Sequence, residues 1–249
     1  MDAKRRNIMK KVLSLILVIA AILCMMVACQ PGSQVDNTPK VDPNKKSEGT
    51  MTHAEYVAAE LNDSVVIEGF VQGKQSWWDN KASIYLQDGT GGYFVYEMVC
   101  TEAEYDKLTV GTKIKVTGYR AEWAGEIEVD AGATFEILAG DTWVATPTDV
   151  TSLLGTEELI AKQNMLISCK DMTVASISFK GGAAGDDIYV NLTKDGKEYS
   201  FCIERYLTGP DTDVYKAVSE LKAGDVIDLE GFLYWWEGPN THITGVTVK

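Results

Sequence analysis

Apolar and polar residues alternate in short runs over most of this chain. Val65 to Val71 reads as a strand, Ala82 to Gln87 alternates at Ile84 and Leu86, and Tyr93 to Met98 follows. Lys113 to Ala121 and Glu126 to Val129, continuing towards Ile137, complete a set of five. Asp88-Gly89-Thr90-Gly91-Gly92 is a turn, because Asp-Gly and Gly-Gly supply the positive φ angles of tight hairpins. Gln72 to Lys81 is a polar loop that carries Trp77-Trp78. Two short helices punctuate the strands, Thr52 to Leu61 and Thr101 to Leu108, the second opened by Thr101 with Glu104 three residues on as a capping box.

The pattern then recurs. Met165 to Phe179, Asp187 to Leu192 and Tyr199 to Ile203 are strands separated by Lys180 to Gly185 and by a Lys194-Asp195-Gly196-Lys197 turn. Asp211 to Leu221 is helical, and Val226 to Trp235 and His242 to Val248 close the series. The recurrence is also literal: Gly111, Gly118 and Trp123 match Gly224, Gly231 and Trp236 at a constant offset, which marks two copies of one domain. Thr146 to Gln163 joins them and is expected to form short helix.

Three strands, a helix and two strands, twice over, predict a mainly β fold of two five-stranded Greek-key barrels. The segment from Ile84 to Tyr96, with its Asp88-Gly89-Thr90-Gly91 turn, followed by Val110-Gly111 and Val116-Thr117-Gly118, resembles the OB-fold family. The resemblance implies a ligand face on strands two and three, flanked by the loops between strands one and two and between strands four and five. It does not imply one ligand, since the fold hosts many functions.

The N-terminus reads as a targeting segment. Lys4, Arg5, Arg6, Lys10 and Lys11 precede an apolar run from Val12 to Ala28, which ends at Met26-Val27-Ala28-Cys29. That ending resembles the lipobox of bacterial lipoproteins, with Met26 in place of the usual leucine; it implies lipidation at Cys29 and a chain tethered to the extracytoplasmic face of the cell membrane. An uncleaved membrane anchor is the competing reading. Residues 1–29 are thus the signal segment, 30–50 a disordered tether, 51–140 the first domain, 141–163 a connector and 164–249 the second domain.

Charge narrows the partners. The signal segment takes five of the 23 basic and one of the 36 acidic residues, leaving 18 against 35 and a net charge of −17. Phosphate backbones are held chiefly by Lys and Arg, so nucleic acid is disfavoured relative to a glycan, a peptide or another envelope protein. Cys100, Cys169 and Cys202 are an odd set without metal-ligand spacing; a Cys169–Cys202 disulfide and buried thiols are both open. The acidic pairs Asp186-Asp187, Asp211 with Asp213 and Glu126 with Glu128 lack a calcium-loop pattern, and no cofactor or metal is expected.

No nucleophile elbow, HExxH helix or phosphate loop occurs, and the two histidines fall in different domains, so the chain reads as a binding module and not an enzyme. The candidate ligand-binding residues are Trp77, Trp78, Trp123, Trp235 and Trp236 in the loops that flank the OB-fold ligand face, and Tyr85 on the second strand, on the face opposite Ile84 and Leu86. Against this, Trp123 and Trp236 recur in both copies and are each followed by a glycine two residues on, which suits rings folded inward to plug the barrel ends. Trp77, Trp78 and Trp235 are expected to be the more exposed. Single-stranded nucleic-acid binding and a purely structural envelope role are the alternatives. Trp77-Trp78 occurs only in the first copy, which points to the first domain as the binding one.

Overall fold

The computed structural model describes residues 41–140 and 142–249; the apolar N-terminal run, Cys29 and the linker up to residue 40 lie outside them. The first barrel comprises α1 (His53–Ala58), β1 (Ser64–Lys74), β2 (Lys81–Gln87), β3 (Gly92–Val99), α2 (Glu102–Tyr105), β4 (Lys113–Trp123) and β5 (Glu126–Val129), with β6 (Thr134–Ile137) added on β4. β1 pairs antiparallel with β2 and β4, β2 with β3, β4 with β5, and β3 runs parallel to β5, which closes the sheet. The expected last strand breaks into β5 and β6 because Asp130 and Gly132 turn the chain, Gly132 at φ +87.

The second barrel repeats this order. β7 (Thr148–Asp149) lies parallel to β8 (Leu166–Phe179), followed by β9 (Ile188–Lys194), β10 (Lys197–Ile203), α3 (Asp213–Ser219), β11 (Val226–Phe232) and β12 (His242–Val248). Antiparallel pairs β8–β9, β9–β10, β11–β12 and β11–β8, with parallel β10–β12, close it in the same way. Both helices stand between the third and fourth barrel strands, as the pattern predicts. The connector forms 3-10 turns at Thr151–Leu153 and Glu157–Lys162.

The repeated glycines serve this geometry. Gly111 and Gly224 occupy φ +90 and +96 just before the fourth strand of each barrel. At Gly118 and Gly231 a Cβ would come within 2.6 Å of Val129 Cγ1 and 2.3 Å of the His242 carbonyl oxygen, where the fifth strand crosses closely. Each barrel has its own core, Ile67, Ile84, Leu86, Val95 and Val116 in the first and Ile167, Val190, Leu192, Phe201 and Leu229 in the second. Cys100, Cys169 and Cys202 are buried free thiols, and burial pushes the Cys169 thiol up to about 12.

Residues 41–50 depart from the tether expected for 30–50. They lie along the first barrel, where Lys46 Nζ reaches Asp88 (2.7 Å), the Glu68 carbonyl (2.8 Å) and the Tyr93 hydroxyl (3.1 Å). The Ser47 backbone N–H and Thr50 hydroxyl donate to the Glu68 carboxylate, which also pairs with Lys113 at 3.0 Å. Glu68 and Asp88 are both buried, and a buried carboxylate needs such partners. Burial alone would raise the Asp88 carboxyl; hydrogen bonds from Lys46, Thr90 and Tyr93 outweigh it and hold the group below its ordinary value.

Val41–Lys249 forms one compact unit, in which the barrels share a third apolar cluster. Tyr85 on β2 stacks on Phe232 at the end of β11, with ring centroids 4.2 Å apart and planes within 5°. Phe94 on β3 packs against Tyr85 and edge-on to Tyr234. Tyr85 is wholly buried and its hydroxyl is 2.9 Å from His242 Nδ1, so this candidate ligand residue is instead a seam residue. Its outward position on β2 matches the alternation with Ile84 and Leu86, but the second barrel covers it.

Candidate ligand cleft

Asp79 and Asn80 adopt φ +47 and +58, the two positive values that a tight two-residue hairpin requires. Trp78 and Lys81 flank this turn and exchange both backbone hydrogen bonds, at 3.0 and 2.9 Å, so their side chains leave the same face. Trp77, one residue earlier, turns the other way. It is half-buried against the first core, and its Nε1–H donates to the Cys100 carbonyl at 3.0 Å. Trp78 stays 68% exposed.

Beside this turn, β3 carries Tyr96 and Glu97. Alternation along a regular strand would send neighbouring side chains to opposite faces. Here the β2–β3 register shifts between Ala82 and Ile84, and Glu97 takes φ +41. Its backbone N–H donates to Ser83 Oγ (3.1 Å), and its carboxylate accepts from Lys81 Nζ at 2.9 Å. The bulge therefore brings Glu97 onto the side that Tyr96 and Ser83 occupy. Glu97 in turn raises Lys81 above the ordinary lysine range, by hydrogen bond first and charge second. Burial, with the Glu97 charge added, raises the Tyr96 phenol, which is a protonated donor at neutral pH.

The opposite wall comes from the second barrel. The Tyr206 carbonyl, just beyond β10, accepts from the Ser76 backbone N–H (2.8 Å) and hydroxyl (3.2 Å). The Arg205 guanidinium stands 5.0 Å over the exposed Tyr206 ring. Gln75, Ser76, Trp77, Trp78, Lys81, Ser83, Tyr96, Glu97 and Tyr206 together line an open cleft of about 470 Å³. The cleft occupies the part of the β2–β3 outer face that Phe232 leaves uncovered.

Trp77, expected to be exposed, is half-buried instead; the remaining candidates lie elsewhere, and expectations reverse there too. Trp123 and Trp236 do not plug the barrels: they are 59% and 48% exposed and form a tilted pair, centroids 6.1 Å apart. Positive φ at Ala124 and Gly125 turns the β4–β5 hairpin tightly, as anticipated, yet leaves the Trp123 ring outward. The matching turn in the second barrel meets it tip to tip, with the Glu237 N–H donating to the Ala124 carbonyl at 2.8 Å. Trp235, expected to be exposed, is half-buried against the second core, and its N–H donates to Glu126 Oε2 (2.8 Å). Glu126 is buried at the seam and also accepts from Asn164 Nδ2 (2.5 Å) and Gln163 Nε2 (3.2 Å); burial raises its carboxyl well above the ordinary range. Among the described residues no group of three or more His, Cys, Asp or Glu is arranged to hold a metal.

Lys81, Ser83, Glu97 and Tyr206 are cleft residues that sequence reasoning did not single out. A polar loop end beside Trp78 was a usable signal for Lys81. Nothing local marks Tyr206, which reaches the cleft only because the barrels dock.

No family model matches this chain, and no curated protein does. Among solved structures, a murine DNA-binding protein bound to double-stranded DNA is similar over 74% of this chain and 94% of its own, with 12% identity and a TM-score of 0.36. The p204 HINb domain is similar over 77% of this chain and all of its own, at 10% identity and a TM-score of 0.35. The hypothetical protein ygiW from E. coli covers 37% of this chain with 94% of its own, at 14% identity and a TM-score of 0.28.

Proposed function

We propose that this chain is a non-catalytic extracytoplasmic binding module, lipid-anchored through Cys29, that holds a neutral glycan or peptide ligand in the cleft between its two barrels. The observation that carries the reading is the convergence of Trp77, Trp78 and Tyr96 from the first barrel with Tyr206 from the second around one open cleft. Aromatic faces of this kind stack on flat or ring-shaped ligands. The cleft's lysine is already paired with a carboxylate, so the site offers neither a net positive field for phosphates nor an unpaired acid for chemistry.

Nucleic acid is the second reading. Several structurally similar proteins were solved with double-stranded DNA, and stacked bases would suit the same aromatic walls. The acidic charge and the paired Lys81 weigh against it. Titration of the full chain, solubilised in a detergent without a sugar headgroup, separates the two by tryptophan fluorescence. Neutral oligosaccharides or peptides should quench Trp78 with little salt dependence. Tight oligonucleotide binding that weakens steeply with added salt would overturn the proposal.

A further inference from the structure

We infer that the ligand of this cleft is a neutral sugar ring whose adjacent hydroxyls bridge Lys81 and Glu97, an assignment that rests on the binding reading above and narrows it. Three features of the cleft select this chemistry. Trp78 presents an exposed indole face, the surface against which the C–H face of a pyranose packs. Lys81 Nζ and Glu97 Oε2 lie 2.9 Å apart, side by side on the same wall, giving one strong donor next to one strong acceptor. A vicinal diol complements that pair, one hydroxyl accepting from the ammonium and the other donating to the carboxylate. A carboxylate or phosphate would meet Glu97, and an organic cation would meet Lys81, so both charged classes are repelled by one member of the pair. Ser83 and the Tyr96 phenol add neutral hydrogen-bonding groups.

The backbone points the same way. Glu97 sits at φ +41, where glycine would be free of strain and a carboxylate-bearing side chain is not. Its carboxylate pairs with Lys81, partly exposed at the cleft wall, and the Tyr96 phenol is a second donor beside it. The strained bulge thus serves to place the carboxylate in the cleft.

The test is calorimetric titration of the full chain in a sugar-free detergent with cellotriose, maltotriose, xylotriose and chitotriose, beside a neutral tripeptide. Binding of one trisaccharide is expected, with an analogue lacking one hydroxyl of the diol binding about tenfold more weakly or worse. Glu97→Gly should lose about tenfold or more in affinity while its thermal midpoint holds or rises. Lys81→Gln, which leaves the backbone alone, should lose affinity comparably. Trisaccharide binding unaffected by both substitutions overturns the diol assignment. Binding of the tripeptide alone overturns the sugar while leaving the binding module standing. If neither class binds, both readings fall.

Discussion

The outer face of β2–β3 in the first barrel and the corresponding β9–β10 face of the second have the same backbone and opposite fates. In the first, the paired outward residues are Tyr85 and Phe94, and the second barrel covers them. In the second, the paired outward residues are Asn191 and Ser200, flanked by Ser176, Thr193 and Glu198, and the face stays in water. The donor surface differs in the same way. Phe232 is 2% exposed at the seam, whereas Tyr119, its counterpart by the repeat offset, is 61% exposed. The two frames share one strand order; side chains at a few outward positions decide which face is covered. Docking then leaves part of the first β2–β3 face open and walls it with Tyr206.

The largest break in this asymmetry should come from Phe232→Ala. Loss of the Tyr85 stack costs about 3–5 kcal/mol, the range for truncating a buried phenylalanine, and should split urea unfolding into two transitions. Ser200→Ala, on the open face, should stay within about 0.5 kcal/mol of the native protein.

Protonation strains the same seam. His242 is buried and burial pushes its pKa down to about 4, against 6.5 in the unfolded chain. Between those values the unfolded chain holds a proton that the folded one refuses. This group's stabilisation is complete above pH 6.5 and falls by about 3 kcal/mol as the pH drops towards 4. Glu128 runs oppositely: burial, with Asp130 adding, raises its carboxyl to about 7, so its cost is present above pH 7 and relieved towards 4.5. Urea midpoints of the native protein and His242→Gln, taken at pH 7 and 4.5, should show the gap between them shrinking in acid. A constant gap would remove His242 from the account.

Gly92→Ala tests how tightly the barrels meet. A Cβ there would come within 2.2 Å of the Asn164 carbonyl carbon, and such overpacking costs about 1–3 kcal/mol. Thermal unfolding of this variant should show the loss, whereas Gly196→Ala, with nothing within 4 Å of the new Cβ but φ +77, should show only its local backbone strain.

The smallest effect on stability should come with a large one on binding. Trp78→Ala should leave the urea midpoint nearly unchanged and weaken ligand by about tenfold, since an aromatic stack contributes about 1–3 kcal/mol. Trp236→Ala should leave cleft affinity unchanged, because its ring pairs with Trp123 and lines no part of the cleft.

Strand order, both helices and the glycine frame were legible because alternation, turn chemistry and close crossings are local matters. Trp78 was legible as exposed, whereas Trp77, expected to be exposed beside it, is half-buried with its indole N–H on the Cys100 carbonyl. What escaped was set by docking or by strain. Tyr85 reads identically whether its outward face meets water or Phe232. Trp123 and Trp236 looked like scaffold because they repeat, yet the same tight turn can present a ring inward or outward. Residues 41–50 carry a linker's composition, but Lys46 and Ser47 meet two buried carboxylates that no local pattern announces. The bulge at Glu97 interrupts alternation without a glycine to mark it.

The most direct measurement follows the six indole N–H signals of the ¹⁵N-labelled chain by NMR during titration with the trisaccharides. With ligand in the cleft, the Trp77 and Trp78 signals should shift while those of Trp123, Trp143, Trp235 and Trp236 hold still. Movement of the Trp123 and Trp236 signals, with Trp77 and Trp78 unmoved, would contradict this and place the ligand at the paired hairpin tips.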